Sequence, residues 1–242
     1  MNAQASTVPL NAATRAELSA AVLAVDAVGL GGAVIRAPRS DVSEAFVQRL
    51  LALLPPDTPQ RRLPLAIADD RLLGGLDLAM TLARGRPVID RGLLAALDGG
   101  LLVIPGAERI GATLAARLTQ VLDTGSVQQR LGDRVPARLA ILAIDESEPD
   151  DEPVHGAIAD RCAMHLTLDA QPLLPFFTRD DVRAARERLP QVTASTLHLR
   201  ALVETADAFG IDSLRAVRAA LRAARCVAAL DARTHTSDDD LA

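Results

Sequence analysis

The chain contains no lysine: all 26 of its basic residues are arginine. This excludes the ammonium point charge that a phosphate-binding loop sets against the β- and γ-phosphates of a nucleotide. Tryptophan and tyrosine are absent as well, which removes the usual stacking platforms for single-stranded nucleic acid and most aromatic anchors of an interface. The two cysteines, Cys162 and Cys226, stand singly, and the four histidines (His155, His165, His198, His235) show no ligand spacing. Neither a disulfide framework nor a zinc site is implied, and both thiols read as small core residues. Apolar runs such as 101–104 are far too short to span a bilayer, and the N-terminus lacks a basic stretch followed by a hydrophobic one. The expectation is a cytoplasmic protein with no transmembrane segment. A net charge of −5 argues against a general nucleic-acid binder, because the phosphate backbone rewards clustered positive charge.

What is present is a chain of 242 residues, 49% apolar, long enough for one large or two small cores. Apolar strand candidates occur at 33–36, 63–67, 101–104, 139–144 and 164–168, with helical patterns between most of them. That alternation predicts an α/β fold: a buried parallel five-stranded sheet with helices on both faces. Gly99-Gly100 ends a helical stretch at 92–97 and feeds the third strand, 130–134 carries a hairpin-like turn, and 145–153 is an acidic loop read as solvated rather than cation-binding. Beyond Asp169 only helical patterns remain, at 179–189, 194–209 and 212–232, after a connector with Pro172 and Pro175. In the last of them Leu214, Val217, Leu221, Ala224 and Ala228 recur at helical steps and predict one core-facing stripe. Arg179, Arg183 and Arg186 fall together on a helix but alternate with Asp180, Asp181 and Glu187, the pattern of a solvated face. The expected organisation is an α/β domain over 1–170 and a separately packing helical domain over 171–242.

The segment 31–55 is laid out as a nucleotide-binding frame, with a β-branched strand, a turn, and an amphipathic helix expected over 44–54. Where G-x-x-x-x-G-K-[ST] has its glycines, lysine and hydroxyl, this chain has Ala37, Val42, Ser43 and Glu44, with Pro38, Arg39, Ser40 and Asp41 between. A carboxylate at the magnesium-hydroxyl position adds negative charge where phosphate would sit. Helix N-terminus attraction for an anion is worth only about 1 kcal/mol, so ATP should bind poorly and should not be hydrolysed.

Longer ordered matches carry a family resemblance. They are Arg71-Leu-Leu-Gly-Gly-Leu-Asp-Leu, Gly85-Arg-Pro-Val, Arg91-Gly-Leu-Leu-Ala, Asp98-Gly-Gly-Leu-Leu-Val-Ile and Asp160-Arg-Cys-Ala-Met-His. Together, from about Val22 to the Thr236-Ser-Asp-Asp-Asp-Leu end, they resemble the AAA+ module of magnesium chelatase, and its D subunit rather than its I subunit. The resemblance implies an AAA+ P-loop-type α/β core with a small C-terminal helical lid. It also implies a non-hydrolysing subunit of an ATP-dependent metal–porphyrin ligase in (bacterio)chlorophyll synthesis. Such a subunit would be an assembly platform for the ATP-hydrolysing I subunit, with a large porphyrin-binding subunit engaged indirectly. ATP and Mg²⁺ would then be held by the partner, and no cofactor or metal by this chain. A regulatory or chaperone-like AAA+ relative that binds nucleotide without turnover is the alternative.

The acidic pair that holds magnesium and polarises water in the I subunit aligns here with Pro105 and Gly106, which can do neither. Glu108 nearby reads as an exposed loop carboxylate. Arg161, in Asp-Arg-Cys, matches the arginine-finger position, which acts in trans on a neighbour's nucleotide, and Arg215, in Ser-Leu-Arg-Ala, matches the sensor arginine. Each could instead be a salt-bridge partner, Arg161 of Asp160 or another nearby acid and Arg215 of Asp212. D subunits ordinarily continue through an acidic, proline-rich linker into an integrin-I-like domain, so the expectation is a fragment or a truncated relative.

Overall fold

The computed structural model describes residues 12–37, 40–129, 134–148, 151–168 and 173–241. The elements run α1 (Ala12–Leu30), β1 (Gly32–Arg36), α2 (Ser40–Leu53), β2 (Gln60–Arg62), α3 (Asp69–Leu73), β3 (Gly75–Leu76), α4 (Leu78–Arg84) and β4 (Ile89–Asp90). They continue with β5 (Gly100–Ile104), α5 (Ala112–Thr124), β6 (Ser126–Gln128), β7 (Arg134–Pro136), β8 (Leu139–Asp145), α6 (Gly156–Ala159), β9 (Met164–Thr167), α7 (Arg179–Arg188), α8 (Thr196–Ala208) and α9 (Leu214–Leu230).

Five strands form one parallel sheet in the order β2-β5-β8-β1-β9. The central strand β8, Leu-Ala-Ile-Leu-Ala-Ile-Asp, is buried along its whole length, as a sheet covered on both faces requires. Its residues alternate between two apolar clusters. Ala140, Leu142 and Ile144 join α1, α2, α7 and α9 on one face, while Leu139, Ile141 and Ala143 join α5 on the other. At about 25 cal/mol per Å² of apolar surface, these two layers are the main source of stability.

Four of the five expected strands lie where the apolar runs placed them, and the second does not. Its ladder is Gln60–Arg62, paired with Leu101 to Val103, and all three residues are exposed. The Leu63 amide still donates to the Val103 carbonyl at 2.9 Å, but the rest of the apolar stretch turns away: Pro64 offers no N–H to a ladder, and the Ile67 amide donates back to the Pro64 carbonyl at 3.1 Å. Polar, charged residues suit this position because it is a sheet edge. The helix expected at 92–97 reduces to a 3₁₀ turn at Ala95–Leu97. The amides of Leu93 and Leu94 are taken by the carbonyls of Arg71 and Leu72, and the stretch closes as one short turn, Ala96 donating to Gly92 at 3.2 Å and Leu97 to Leu94 at 3.1 Å. The hairpin strands β6 and β7 pair antiparallel, while the turn at 130–133 lies outside the described residues.

α1 was not anticipated. It packs on α2, α7, α9 and the sheet, and it bends at Asp26 (φ −151°, ψ 58°). The Ala24 carbonyl freed beside the bend accepts from the Arg186 guanidinium, so Arg186 is no part of a solvated face, and burial lowers its pKa. Arg179 and Arg183 keep the expected exposed arrangement, Arg179 bonding the Ala52 carbonyl at 3.1 Å and Arg183 pairing with Asp180 at 3.0 Å. The last helix also departs from expectation at its start. Leu214 is 76% exposed and Leu221 half-buried, while Val217, Ala224 and Ala228 face the core. Val182, Ala185, Val192, Cys226, Ala228 and Ala229 belong to the same cluster as α1 and α2, so α7 and α9 share a core with the sheet rather than packing apart from it.

Candidate functional site

Because every strand of the main sheet runs the same way, the expected site residues sort to two edges. The 37–44 turn follows β1 and Pro105-Gly106 follows β5, both at the C-terminal edge. Arg161 precedes β9 and lies at the N-terminal edge. Five residues of strand β1 at about 3.3 Å each separate the two by roughly 16 Å.

At the C-terminal edge α2 begins at Ser40, four residues earlier than expected. Pro38 and Arg39 lie outside the described residues, as does the side chain of Ser40. The Ala37 amide, which a phosphate loop would turn towards its ligand, donates to the Asp145 carbonyl at 3.0 Å. Asp41 is exposed in the first turn of α2, Val42 is half-buried, and Ser43 is buried. Glu44 sits beyond the first turn and points to Gln48 and Arg62, whose hydrogen bonds hold its carboxyl below the usual range. Its charge is therefore spent on β2 rather than on a phosphate position, which corrects the expectation. After β5, Gly106 adopts a left-handed conformation (φ 61°, ψ 43°) and starts a 3₁₀ turn. Glu108 is not an exposed loop carboxylate: its side chain is largely covered and accepts the Glu146 amide at 3.1 Å beside Arg109. These groups fit a magnesium–nucleotide poorly, since the chain has no lysine, the Ala37 amide is taken by Asp145 and the Glu44 carboxyl is taken by Gln48 and Arg62.

The N-terminal edge carries the organised charge. Arg161 donates from Nε and Nη2 to the two Asp123 oxygens at 2.9 and 2.6 Å, a bidentate pair, and from Nη1 to the Ala157 carbonyl at 2.7 Å. Arg215, at the start of α9, donates to the same Asp123 at 2.8 Å and lies 3.2 Å from Asp160. Ser213 completes the group, bonding Asp160 at 3.1 Å. The Arg161 bonds hold the Asp123 carboxyl below its ordinary value, with Arg215 adding to the effect, and Asp123 in turn raises Arg161.

The structure thus brings Arg161 and Arg215 together and puts both far from the 37–44 turn of their own chain. Asp212 is not the partner of Arg215, and Asp160, at 3.9 Å, is a secondary partner of Arg161. Asp123 was missed by sequence reasoning, although one signal was present. It occupies the last turn of α5, where a negative charge opposes the helix dipole by about 0.3–1 kcal/mol, so an acid there calls for a cationic partner. The cluster opens on a groove of about 830 Å³ between the lid and the sheet edge, where Arg138, Arg218, Arg222 and Arg225 also lie. Cys162, next to Arg161, is sealed in the core, and burial pushes its thiol up to about 12.

Among the described residues no helix is long and apolar enough to cross a membrane, and no group of three metal-ligating side chains gathers.

Comparisons with known proteins bear on the fold and on sequence likeness. Residues 199–242 match the AAA lid domain. The chain is 37% identical to the magnesium-chelatase 60 kDa subunit of Rhodobacter capsulatus over 94% of its own length and 38% of that protein's. It is 27% identical to the 38 kDa subunit of the same organism, across 93% of this chain and 81% of that one. The chain therefore spans well under half the length of the 60 kDa relative. Among solved structures, a candidate ATPase from Cytophaga hutchinsonii superposes with a TM-score of 0.65 at 16% identity, covering 91% of this chain and 77% of the other. An MCM homolog from Methanopyrus kandleri gives 0.67 at 17%, covering 97% and 54%. At such identities the solved structures speak to fold alone. Sheet order, lid and sequence likeness converge: the chain has the α/β AAA+ fold with a C-terminal helical lid and is similar in sequence to subunits of magnesium chelatase.

Proposed function

We propose that this chain is the AAA+ module of a D-type magnesium-chelatase subunit, a platform that does not turn over ATP itself. It would associate in the cytoplasm with ATP-hydrolysing subunits of the 38 kDa type. Their hydrolysis would be coupled to insertion of Mg²⁺ into protoporphyrin IX by a large porphyrin-binding subunit. Residues 1–170 would form the core of the module and 171–242 its lid. The higher identity to the 60 kDa subunit than to the 38 kDa subunit supports the D assignment.

The observation that carries this reading is the split between the two sheet edges. At the edge that would hold the chain's own nucleotide there is no lysine, and the Ala37 amide and the Glu44 carboxyl are bonded elsewhere, whereas the opposite edge keeps Arg161 and Arg215 side by side at an open groove. An arginine fork positioned away from any site of its own suits a neighbour's γ-phosphate. It would act there as a finger in trans.

The test has two parts. The isolated chain should hydrolyse no ATP above background, and calorimetric titration with ATP should show no tight binding. Each missing electrostatic group typically costs on the order of 3 kcal/mol in the transition state, so turnover at the rate of an intact AAA+ enzyme would overturn the reading. In a reconstituted assembly, Arg161→Ala should lower ATP hydrolysis and chelation while association with the hydrolysing subunit is kept. Fingers are worth about 10³-fold at one site, and only interfaces containing this chain would lose it.

A further inference from the structure

We infer that Asp123 is the positioning residue of Arg161 and the point through which the lid sets that arginine. The inference rests on the reading of Arg161 as a finger in trans.

Arg161 follows the short helix α6 in a turn, so no helical ladder orients its side chain. Its orientation comes from its partners. A guanidinium has five N–H donors in a rigid plane. Two of them, on Nε and Nη2, meet the Asp123 oxygens, and one on Nη1 meets the Ala157 carbonyl. One N–H on each Nη is left over. The planar carboxylate therefore fixes the plane of the fork without using up its donors. The side chain is only 17% exposed, so it is held rather than swept through solvent.

The second link is to the lid. Asp123 Oδ1, which accepts from Arg161 Nε, also accepts from Arg215 Nη1 at 2.8 Å. Arg215 and Ser213 hold Asp160 as well, at 3.2 and 3.1 Å. Leu214 between them is turned out to solvent, so the tip of α9 meets the core here through ionic and hydrogen-bonding contacts. A shift of the lid would draw Arg215 across the same oxygen that orients Arg161.

Two arginines and two aspartates leave the cluster formally neutral. Removing Asp123 would make it more attractive to a polyphosphate while loosening the geometry of the fork. A mere salt bridge makes no such split. Asp123→Asn in the full chain, assembled with its hydrolysing partner, should lower kcat for ATP about 10-fold or more, as expected for a misplaced catalytic group, with KM for ATP unchanged or reduced. Association should be unaltered. Because Asp123 acts through Arg161, the double variant Asp123→Asn/Arg161→Ala should be no slower than Arg161→Ala alone.

Effects that multiply in the double variant would overturn the proposal, as would a raised KM at constant kcat, or wild-type kcat for Asp123→Asn beside a slowed Arg161→Ala. Loss of association by Asp123→Asn would also overturn it, making the carboxylate an assembly element. If Arg161→Ala leaves the assembly at full rate, the finger reading itself fails, and this inference falls with it.

Discussion

Gly31 lies against the backbone carbonyl of Arg161, so close that a methyl group at Gly31 would overlap the oxygen. The neighbouring Leu30 carbonyl accepts from Ala163 at 2.9 Å and the Gly31 carbonyl from Ile141 at 3.0 Å. The turn between α1 and β1 is thus the wall against which the Arg161 segment is laid. Gly31 also has φ +71°, a region that side chains rarely adopt.

Gly31→Ala should therefore destabilise the chain twice over, by about 1–2 kcal/mol for the left-handed backbone and another 1–3 kcal/mol for the overlap. Urea denaturation reads the sum. A midpoint within error of wild type would show that the Arg161 turn yields freely.

Glu17 is fully buried on α1 and is compensated by Arg49 of α2, which bonds both of its oxygens, Nε at 2.7 Å. The amides of Phe176 and Phe177 complete the carboxylate at 3.1 and 3.3 Å, tying the connector before α7 to the same pair. Glu17→Ala should cost about 3–5 kcal/mol, because it strands a largely buried guanidinium. Replacing both residues with Leu and Met should cost much less. Equal losses for the single and double variants would mean that the apolar packing of α1, not the pair, carries the effect.

The Asp123 pair should show in acid. Its carboxyl titrates below its ordinary value because it accepts hydrogen bonds from Arg161 and then from Arg215, so near pH 4 the unfolded chain binds more protons than the native one. The pair's stabilisation is complete above the unfolded value of about 3.9 and is lost as pH falls through the lower folded value. The stability difference between wild type and Asp123→Asn should accordingly stay constant from pH 7 to about pH 5 and shrink towards pH 3. A difference that is the same at pH 7 and pH 3 would rule out a depressed carboxyl.

Both thiols, Cys162 and Cys226, are pushed up to about 12 by burial. At pH 8 the native chain should react with a thiol reagent at a small fraction of the denatured rate. Prompt labelling of either cysteine without denaturant would show that its shell opens readily.

Much of this architecture was legible along the chain. β5 and β8 are apolar runs buried along their length and β1 nearly so, and α2, α7 and α9 turn a periodic apolar face inward, so there local pattern and burial coincide; the edge strand β9 alternates half-buried with exposed residues, and α8 keeps its period without burying a residue. The absence of an ammonium group from the 37–44 turn was legible too, because the chain has no lysine. The edge strand β2 was not, since an edge tolerates Gln60, Arg61 and Arg62 where the pattern looked for apolar residues.

What only the tertiary structure decided is where charge goes. Arg161 finds Asp123 across 38 positions and Arg215 finds it across 92, and Glu17 reaches Phe176 across 159. Hydrophobic periodicity is a property of neighbours three or four residues apart, and it reports which face of an element turns inward. Which cation answers which carboxylate depends on how those elements are stacked, so the partner that holds Arg161 could not be read until the sheet, α5 and the lid had been brought together.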